Sequence, residues 1–204
     1  MKTTPRKRSA GFTLIELMAV ITIIVILAGL VVGSLGYVFE KQASSKAKVQ
    51  IALISKALEE YKLDMGTYPT TDNKTTFDPT AGTATSADLY NTLYSEGFEY
   101  NKQSPPPNTW EKTVGTNKFP KATKIYIADL EPLTNKQGWS STPAGKILDP
   151  WGKEYCYRTA KDSNGVNNDA TQNPDFDLWS MGKDGKTKPA TTSDTTNRDD
   201  IKNF

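Results

Sequence analysis

The side chains of this sequence that could do chemistry are mostly carboxylates. There is no histidine, which removes the commonest general base, and the single cysteine, Cys156, cannot form a disulfide within the chain. No Ser-His-Asp, zinc or phosphate-loop arrangement is present. One acid, Glu16, stands alone in an apolar run, and a group of aspartates lies near the C-terminus. We therefore expect no catalytic site and interpret the protein as a non-enzyme.

The charges are unevenly distributed along the chain. Four basic residues and no acid precede the apolar run, namely Lys2, Arg6, Lys7 and Arg8. Of the 25 basic residues, 21 remain after these four, against 23 acids, so the rest of the chain carries −2. A nucleic-acid-binding protein usually carries positive charge on its folded body, so no nucleic-acid partner is expected. A basic flank before an apolar segment is instead typical of a membrane protein whose flank stays in the cytoplasm.

Residues 12–39 form an apolar run whose only charge is Glu16. As a helix, these residues would extend about 42 Å, which exceeds the roughly 30 Å thickness of the bilayer core. The run is longer than the apolar region of a secretory signal, about 7–15 residues, and its small-residue junction precedes it. The sequence therefore predicts a helix that spans a membrane, with the chain after Val38 on the outer side.

Glu16 would be costly in the membrane unless it had a role. A carboxylate at the centre of a bilayer costs about 2.5–3.5 kcal/mol, and less near the end of a helix. If the chain is cut after Gly11, Phe12 becomes an N-terminal ammonium, and Glu16 lies one helical turn away. The carboxylate could then neutralise that ammonium within one chain or between neighbouring chains. The alternative is a charge that rests in the headgroup region without a function.

The helical pattern continues beyond the apolar run. Residues 40–64 carry one apolar stripe at helical spacing. Gly66 and Pro69 follow, and this order is typical of a helix C-terminus. We expect this second half of the helix to pack on a globular head.

The head shows shorter elements. Residues 86–94 predict a short helix with Ser86 as its N-cap and an apolar face of Leu89, Tyr90, Leu93 and Tyr94. Residues 124–130 predict a short strand or an extended packing segment. Residues 154–158 and 175–181 alternate as strands, with turns at 149–152 and 164–165. Two antiparallel strands laid across the helix would give an α+β head.

Other conspicuous side chains of the head have ordinary interpretations. Cys156 is expected to be a small buried hydrophobe. Asp175 and Asp177 are expected to point to opposite faces of their strand or to share one solvated face, and neither arrangement indicates a glycosidase. The tryptophans are interpreted as packing anchors: Trp110, Trp139, Trp151 and Trp179.

The N-terminal motif supports a family resemblance. Residues 8–17, Arg-Ser-Ala-Gly-Phe-Thr-Leu-Ile-Glu-Leu, resemble the class III signal of type IV prepilins and type II secretion pseudopilins. The resemblance implies that a prepilin peptidase cleaves between Gly11 and Phe12 and that Phe12 is then N-methylated. It also implies that Glu16 guides subunit docking during filament assembly.

The C-terminal part carries a second resemblance. The segments 66–71, 149–157, 178–185 and 199–204 resemble the C-terminal domain of the major pseudopilin of type II secretion. The middle, residues 72–145, is longer and matches poorly. The resemblance implies a pilin-like α+β fold, with a long N-terminal helical stalk that is transmembrane in its first half and packs on a small antiparallel sheet. The implied divisions are a leader 1–11, a membrane and filament-core helix 12–39, an amphipathic helix 40–64 and a periplasmic head 65–204.

The same resemblance implies a calcium site. The family's ligands correspond to the carboxylates of Asp184, Asp199 and Asp200, with backbone oxygens of Met181 and Asn197. Calcium takes six to eight oxygen ligands, and such a mixed set suits it. Without the resemblance, Asp184 would be interpreted as part of an Asp-Gly turn, and Asp199 and Asp200 as a solvated acidic pair.

The implied function is structural. The subunit is expected to polymerise with itself and with minor pseudopilins into the periplasmic pseudopilus of a type II secretion system. Its other implied partners are the prepilin peptidase, the inner-membrane secretion platform and the membrane itself. One alternative is a type IV pilin for adhesion, motility or DNA uptake, although many such pilins carry a C-terminal disulfide loop that a single cysteine cannot form. Another is a membrane-anchored ligand-binding module exported as a prepilin.

Overall fold

The structure is a computed structural model that describes residues 11–70, 86–114, 116–133, 140–141, 145–161, 164–188 and 195–204. Residues 1–10 of the leader, Trp139, and parts of the middle segment 72–145 lie outside the described residues. The chain divides into two compact units, Met1–Gln42 and Ala43–Phe204. The predicted division into four segments stays a prediction.

Helix α1, Leu14–Met65, is the longest element. In the first unit, the large apolar side chains of this helix are exposed on all its faces. Its most apolar 18-residue window has a mean hydropathy of 2.9, so by length and composition this helix can cross a membrane. The hydroxyl of Thr22 donates to the backbone oxygen of Met18 at 2.8 Å, which gives this polar group a partner inside the helix.

The C-terminus of α1 confirms the expected cap. Gly66 adopts a φ of +78°, and its N–H donates to the backbone oxygen of Lys62 at 2.8 Å. Only glycine takes this left-handed conformation without steric cost, so the helix ends where the sequence places a glycine. The helix runs to Met65, one residue further than predicted.

In the second unit, α1 buries one stripe against the rest of the head. The buried residues of this stripe recur at helical spacing: Ala47, Ile51, Ile54, Ala57, Leu58 and Tyr61. Two hydrogen bonds accompany this packing. The hydroxyl of Tyr155 donates to Gln50 Oε1 at 2.8 Å, and that of Tyr157 donates to the backbone oxygen of Pro69 at 3.0 Å. The expected packing of the second half of the helix on a globular head is therefore confirmed from Ala47 onward.

A second helical segment follows, longer than predicted. It consists of α2, Ser86–Tyr90, a π-helical turn, Asn91–Ser95, and α3, Glu96–Asn101. The predicted apolar face of Leu89, Tyr90, Leu93 and Tyr94 is buried. The hydroxyl of Ser86, expected to be an N-cap, donates to Glu154 at 2.8 Å. This side chain therefore ties the helix to the strand region.

The described strands are short and antiparallel. They are β1 Glu111–Val114, β2 Asn117–Pro120, β3 Ser140–Ser141, β4 Lys146–Ile147, β5 Cys156–Thr159, β6 Phe176–Ser180 and β7 Ile201–Lys202. β1 pairs with β2, β3 pairs with β4, and β5, β6 and β7 form a three-stranded sheet. The two strands predicted around residues 154–158 and 175–181 are confirmed, and β7 is an addition. Within 124–130 the structure has no strand. Ile127 is extended and buried and a 3₁₀ turn, Ala128–Leu130, follows, which agrees with the alternative of an extended packing segment.

The centre of the three-stranded sheet contains a buried ion pair. Arg158 donates from Nε and a terminal nitrogen to Asp177 Oδ2 at 2.8 and 2.7 Å, and the two side chains are only 7% and 0% exposed. The carboxylate also accepts the backbone N–H groups of Gln172 and Asn173, both at 2.9 Å. The expectation of a solvated face is therefore wrong for Asp177, because its cross-strand neighbour is an arginine that neutralises it.

Candidate assembly and cation sites

Glu16 lies in the first turn of α1, where it closes on Thr13. The backbone N–H of Thr13 donates to Glu16 Oε2 at 2.8 Å, and the hydroxyl of Thr13 donates to the same oxygen at 2.7 Å. In return, the N–H of Glu16 lies 3.4 Å from the hydroxyl oxygen of Thr13. This reciprocal arrangement is a capping box, which satisfies amide groups that the first turn of a helix otherwise leaves unpaired.

The capping box gives the isolated charge of Glu16 a partner within its own chain. Sequence reasoning considered only the ammonium of a cleaved Phe12 as that partner, although the Thr-x-x-Glu spacing of residues 13–16 is a recognisable signal for this box. In the uncleaved chain, Phe12 is 86% exposed, and among the described residues nothing lies within 4 Å of a Cβ placed on Gly11. The predicted cleavage point, directly before the first turn of α1, is therefore not covered by the described part of the chain.

The three aspartates implied as calcium ligands lie near one another in the second unit. The N–H of Asp184 donates to Asp199 Oδ2 at 3.0 Å. Asp200 Oδ2 accepts the hydroxyl of Thr187 at 2.8 Å and lies 3.7 Å from the ammonium of Lys202. Tertiary structure thus brings together residues that are 15 positions apart in sequence.

The carboxylate of Asp200 is buried. Its side chain is 0% exposed, and among the described residues its Oδ1 atom has no hydrogen-bond partner. Burial raises the pKa of Asp200 to about 6, and the negative charges of Asp199 and Asp184 act in the same direction. A buried carboxylate oxygen without a partner, close to two further carboxylates, is a fitting ligand for a cation.

The geometry nevertheless leaves part of the ligand set incomplete. Across the described residues, no three carboxylate or cysteine side chains converge closely enough to hold a metal by themselves. Backbone oxygens would therefore have to supply part of the shell, as the family resemblance implies for Met181 and Asn197. The side chain of Asn197 is used otherwise: it accepts the N–H of Lys188 at 2.7 Å and donates to the oxygen of Lys188 at 3.0 Å, which holds the two sides of the loop together.

A supporting network that the sequence did not reveal lies behind this site. Asp149, in the Asp-Pro-Trp-Gly turn, accepts the hydroxyl of Ser180 at 2.5 Å, and that hydroxyl oxygen accepts the N–H of Gly182 at 3.1 Å. Burial raises the pKa of Asp149, while the hydrogen bonds that its carboxylate accepts from the Ser180 hydroxyl and from the N–H groups of Lys153 and Trp151 oppose this rise. The network connects the 149–152 turn to the end of β6, from which the acidic loop departs.

Gly182 permits the close approach of the two halves of the acidic site. Its φ is +63°, and a Cβ at this position would lie 2.5 Å from the backbone oxygen of Asp199 and 2.7 Å from Asp199 Oδ2. No other residue fits this conformation and this contact together.

Comparison with known protein families identifies both parts of the chain. The model of the prokaryotic N-terminal methylation motif matches residues 6–32, which include the Gly11–Phe12 junction and the start of α1. The model of type II secretion system protein G matches residues 36–113. The two matches follow one another along α1 and into the helical segment of the head.

Individual relatives agree with these matches. The chain is 29% identical over 185 residues to type II secretion system core protein G of Pseudomonas aeruginosa, an alignment that covers 89% of this chain and 88% of that protein. It is 48% identical over 67 residues to core protein G of Aeromonas hydrophila and 46% identical over 66 residues to that of Vibrio cholerae. Those two alignments span 33% and 32% of this chain and about half of each relative, 47% and 45%.

Among solved structures, the chain is similar to the major pseudopilin from the type 2 secretion system of enterohaemorrhagic Escherichia coli. That comparison gives 19% identity and a TM-score of 0.39, and it covers 83% of this chain and 93% of the other. The likeness to protein G rests instead on the methylation motif, the protein G segment and the curated relatives. On these grounds the chain carries the prokaryotic N-terminal methylation motif and is similar over most of its length to type II secretion system core protein G.

Proposed function

We propose that this protein is a structural subunit that polymerises into the periplasmic pseudopilus of a type II secretion system. The observation that carries the proposal is the methylation motif placed directly on the first turn of an apolar helix that then continues into a protein G segment. The relatives with aligned sequences carry the name core protein G, which favours a secretion filament over a type IV pilus. The role is mechanical rather than catalytic.

The proposal includes the path by which the subunit reaches the filament. The apolar part of α1 anchors the precursor once in the inner membrane, with the basic leader in the cytoplasm and the head in the periplasm. A prepilin peptidase removes residues 1–11 and Phe12 is methylated. The subunit then passes from the inner-membrane secretion platform into a polymer of itself and minor pseudopilins. In this polymer, Glu16 lies opposite the N-terminal ammonium of a processed Phe12.

Calcium is proposed as the structural cation of the head. Asp184, Asp199 and Asp200 would hold it together with backbone oxygens of Met181 and Asn197. Bound there, the cation would neutralise the repulsion among the three carboxylates and give the buried Oδ1 of Asp200 a partner. The contribution of the chain's own residues is positional, because Gly182 and the Asp149–Ser180 pair hold the loop where the acids meet.

The processing step provides the direct test of the proposal. Mass spectrometry of the membrane-extracted protein from its native host should find an N-terminus at methylated Phe12. Gly11→Leu should leave an unprocessed precursor, because a large side chain next to the scissile bond would obstruct the cut by the peptidase. Electron microscopy should then show filaments for the wild type and none for the variant. A mature protein that begins at Met1, or filaments that need a retraction ATPase, would refute the pseudopilin assignment.

A further inference from the structure

We propose that the head carries a saccharide-binding pocket between the helical segment 86–101 and the β1–β2 hairpin. The cavity has a volume of about 400 Å³. Small-molecule sites occupy about 300–1,000 Å³, so the space suits a mono- or disaccharide. The pocket lies away from the methylation motif and the acidic loop, so its role goes beyond filament assembly.

The floor of the pocket is a fixed polar cluster. Glu96 is only 8% exposed, and its two oxygens accept the ammonium of Lys112 at 2.8 Å and the N–H of Ala122 at 2.7 Å. The same ammonium donates to the hydroxyl of Thr92 at 3.0 Å. These bonds hold the polar atoms in place before any ligand arrives, which lowers the entropic cost of binding.

The helical side of the pocket is formed by the π-helical turn Asn91–Ser95. Such wide turns are rare and occur frequently at functional sites, because they shift side chains out of the regular helical spacing. Trp110 also lines the pocket, and its indole N–H donates to the backbone oxygen of Ala122 at 3.0 Å. The ammonium of Lys121 lies 4.6 Å from the ring centroid, so the indole acts as a wall and not as an open stacking surface.

The chemistry of the lining selects the class of ligand. Glu96 and Lys112 neutralise each other, Glu99 lies 3.9 Å from the ammonium of Lys102, and the ammonium of Lys121 lies against the Trp110 ring. These charges are engaged within the protein, which favours a neutral polar ligand over an ion. Exposed amides at the rim offer donors and acceptors together. The lining residues that carry these exposed amides are Asn91 and Gln103. A neutral ligand whose hydroxyls both donate and accept matches this set.

The test uses the full-length protein in a detergent without a sugar headgroup, so that the detergent cannot compete. Maltose, cellobiose and N,N′-diacetylchitobiose are titrated separately into the millimolar range and followed by saturation-transfer-difference NMR and calorimetry. At least one of them should bind saturably. Asn91→Ala and Gln103→Ala should each weaken that binding about fivefold, because the loss of one hydrogen bond costs about 1 kcal/mol of binding free energy. Both residues are exposed, so neither variant should change the melting temperature.

Asn167→Ala is the matched control, since it removes an exposed amide from a different concave surface of the head, and it should bind like the wild type. Absence of saturable binding by all three disaccharides overturns the proposal. Equal affinity in the wild type and both pocket variants overturns it as well, because the saccharide would then bind elsewhere. Polymerisation is not needed for any of these measurements, so the pocket is tested independently of the filament.

Discussion

Thr13 and Glu16 close the first turn of α1 on each other: the N–H and the hydroxyl of Thr13 both donate to one oxygen of Glu16, at 2.8 and 2.7 Å. The charge that drives the proposed docking is therefore held inside its own chain in the uncleaved precursor. Assembly must replace these bonds, at least in part, by contact with the ammonium of a processed Phe12. Capping and docking are thus two separable uses of the same carboxylate.

Variants at these positions should separate the two uses. Glu16→Val should insert into the membrane normally but fail to assemble, because the ammonium of a chain would lack its partner. Glu16→Gln should also fail, since glutamine can maintain a capping box but carries no charge. Filament yield, measured as sheared polymer relative to membrane-bound subunit, reports the outcome. Normal yield from either variant would contradict the docking role.

Thr13→Val should reduce the yield without abolishing it. The change keeps the β-branched shape and removes the hydroxyl, which weakens the helix N-terminus by about 1 kcal/mol while leaving the carboxylate available. Thr22→Val is the matched control, because the hydroxyl of Thr22 donates to the backbone oxygen of Met18, within the same helix and outside the capping box. If the two threonine variants assembled equally well, the capping box would have no role in assembly.

Calcium should stabilise the head against unfolding. A cation that binds only the folded state adds about 2.7 kcal/mol when its concentration is a hundredfold above Kd. The soluble segment from Glu40 onward should therefore melt at a higher temperature in calcium than in chelator, and magnesium should substitute poorly because its octahedral shell is stricter. Asp184→Ala should remove the difference. Identical melting of the wild type in calcium and in chelator would eliminate the metal site.

Gly182→Ala should damage the acidic loop more than an ordinary glycine substitution would. The alanine would force a left-handed conformation, at about 1–2 kcal/mol, and its Cβ would also collide with Asp199. Gly66→Ala is the control: its φ is similarly positive, but no atom lies within 4 Å of the added Cβ, so only the conformational cost applies. Denaturant unfolding with and without calcium should show a smaller calcium effect in Gly182→Ala and an unchanged effect in Gly66→Ala.

The buried ion pair between Arg158 and Asp177 should contribute strongly to the stability of the head. Arg158→Ala leaves a buried carboxylate without its counter-charge, and such changes cost about 3–5 kcal/mol. The comparison is Lys56→Ala, which removes the exposed pair with Glu60 and should cost about 0.3–0.5 kcal/mol. Urea unfolding of the soluble head measures both. Similar losses in the two variants would show that the buried pair makes no special contribution.

The sequence by itself determined the features that depend on neighbouring residues. The apolar run, the signal around Gly11 and Phe12, and the end of α1 at Gly66 are local patterns of periodicity and turn chemistry, and the structure confirms the helix and its cap. The buried apolar face from Leu89 to Tyr94 was also predictable, because residues three and four apart share a helix face.

Tertiary structure alone decided which distant polar groups meet. Asp177 is buried because Arg158 lies beside it on the next strand, and Asp199 accepts the N–H of Asp184 because Gly182 lets the two loop ends approach. β7 forms only because β6 presents an edge to it, since a two-residue strand has little stability of its own. Packing and the hydrogen-bonding needs of buried polar groups determine which residues far apart in sequence come into contact. A local sequence pattern contains information on neither.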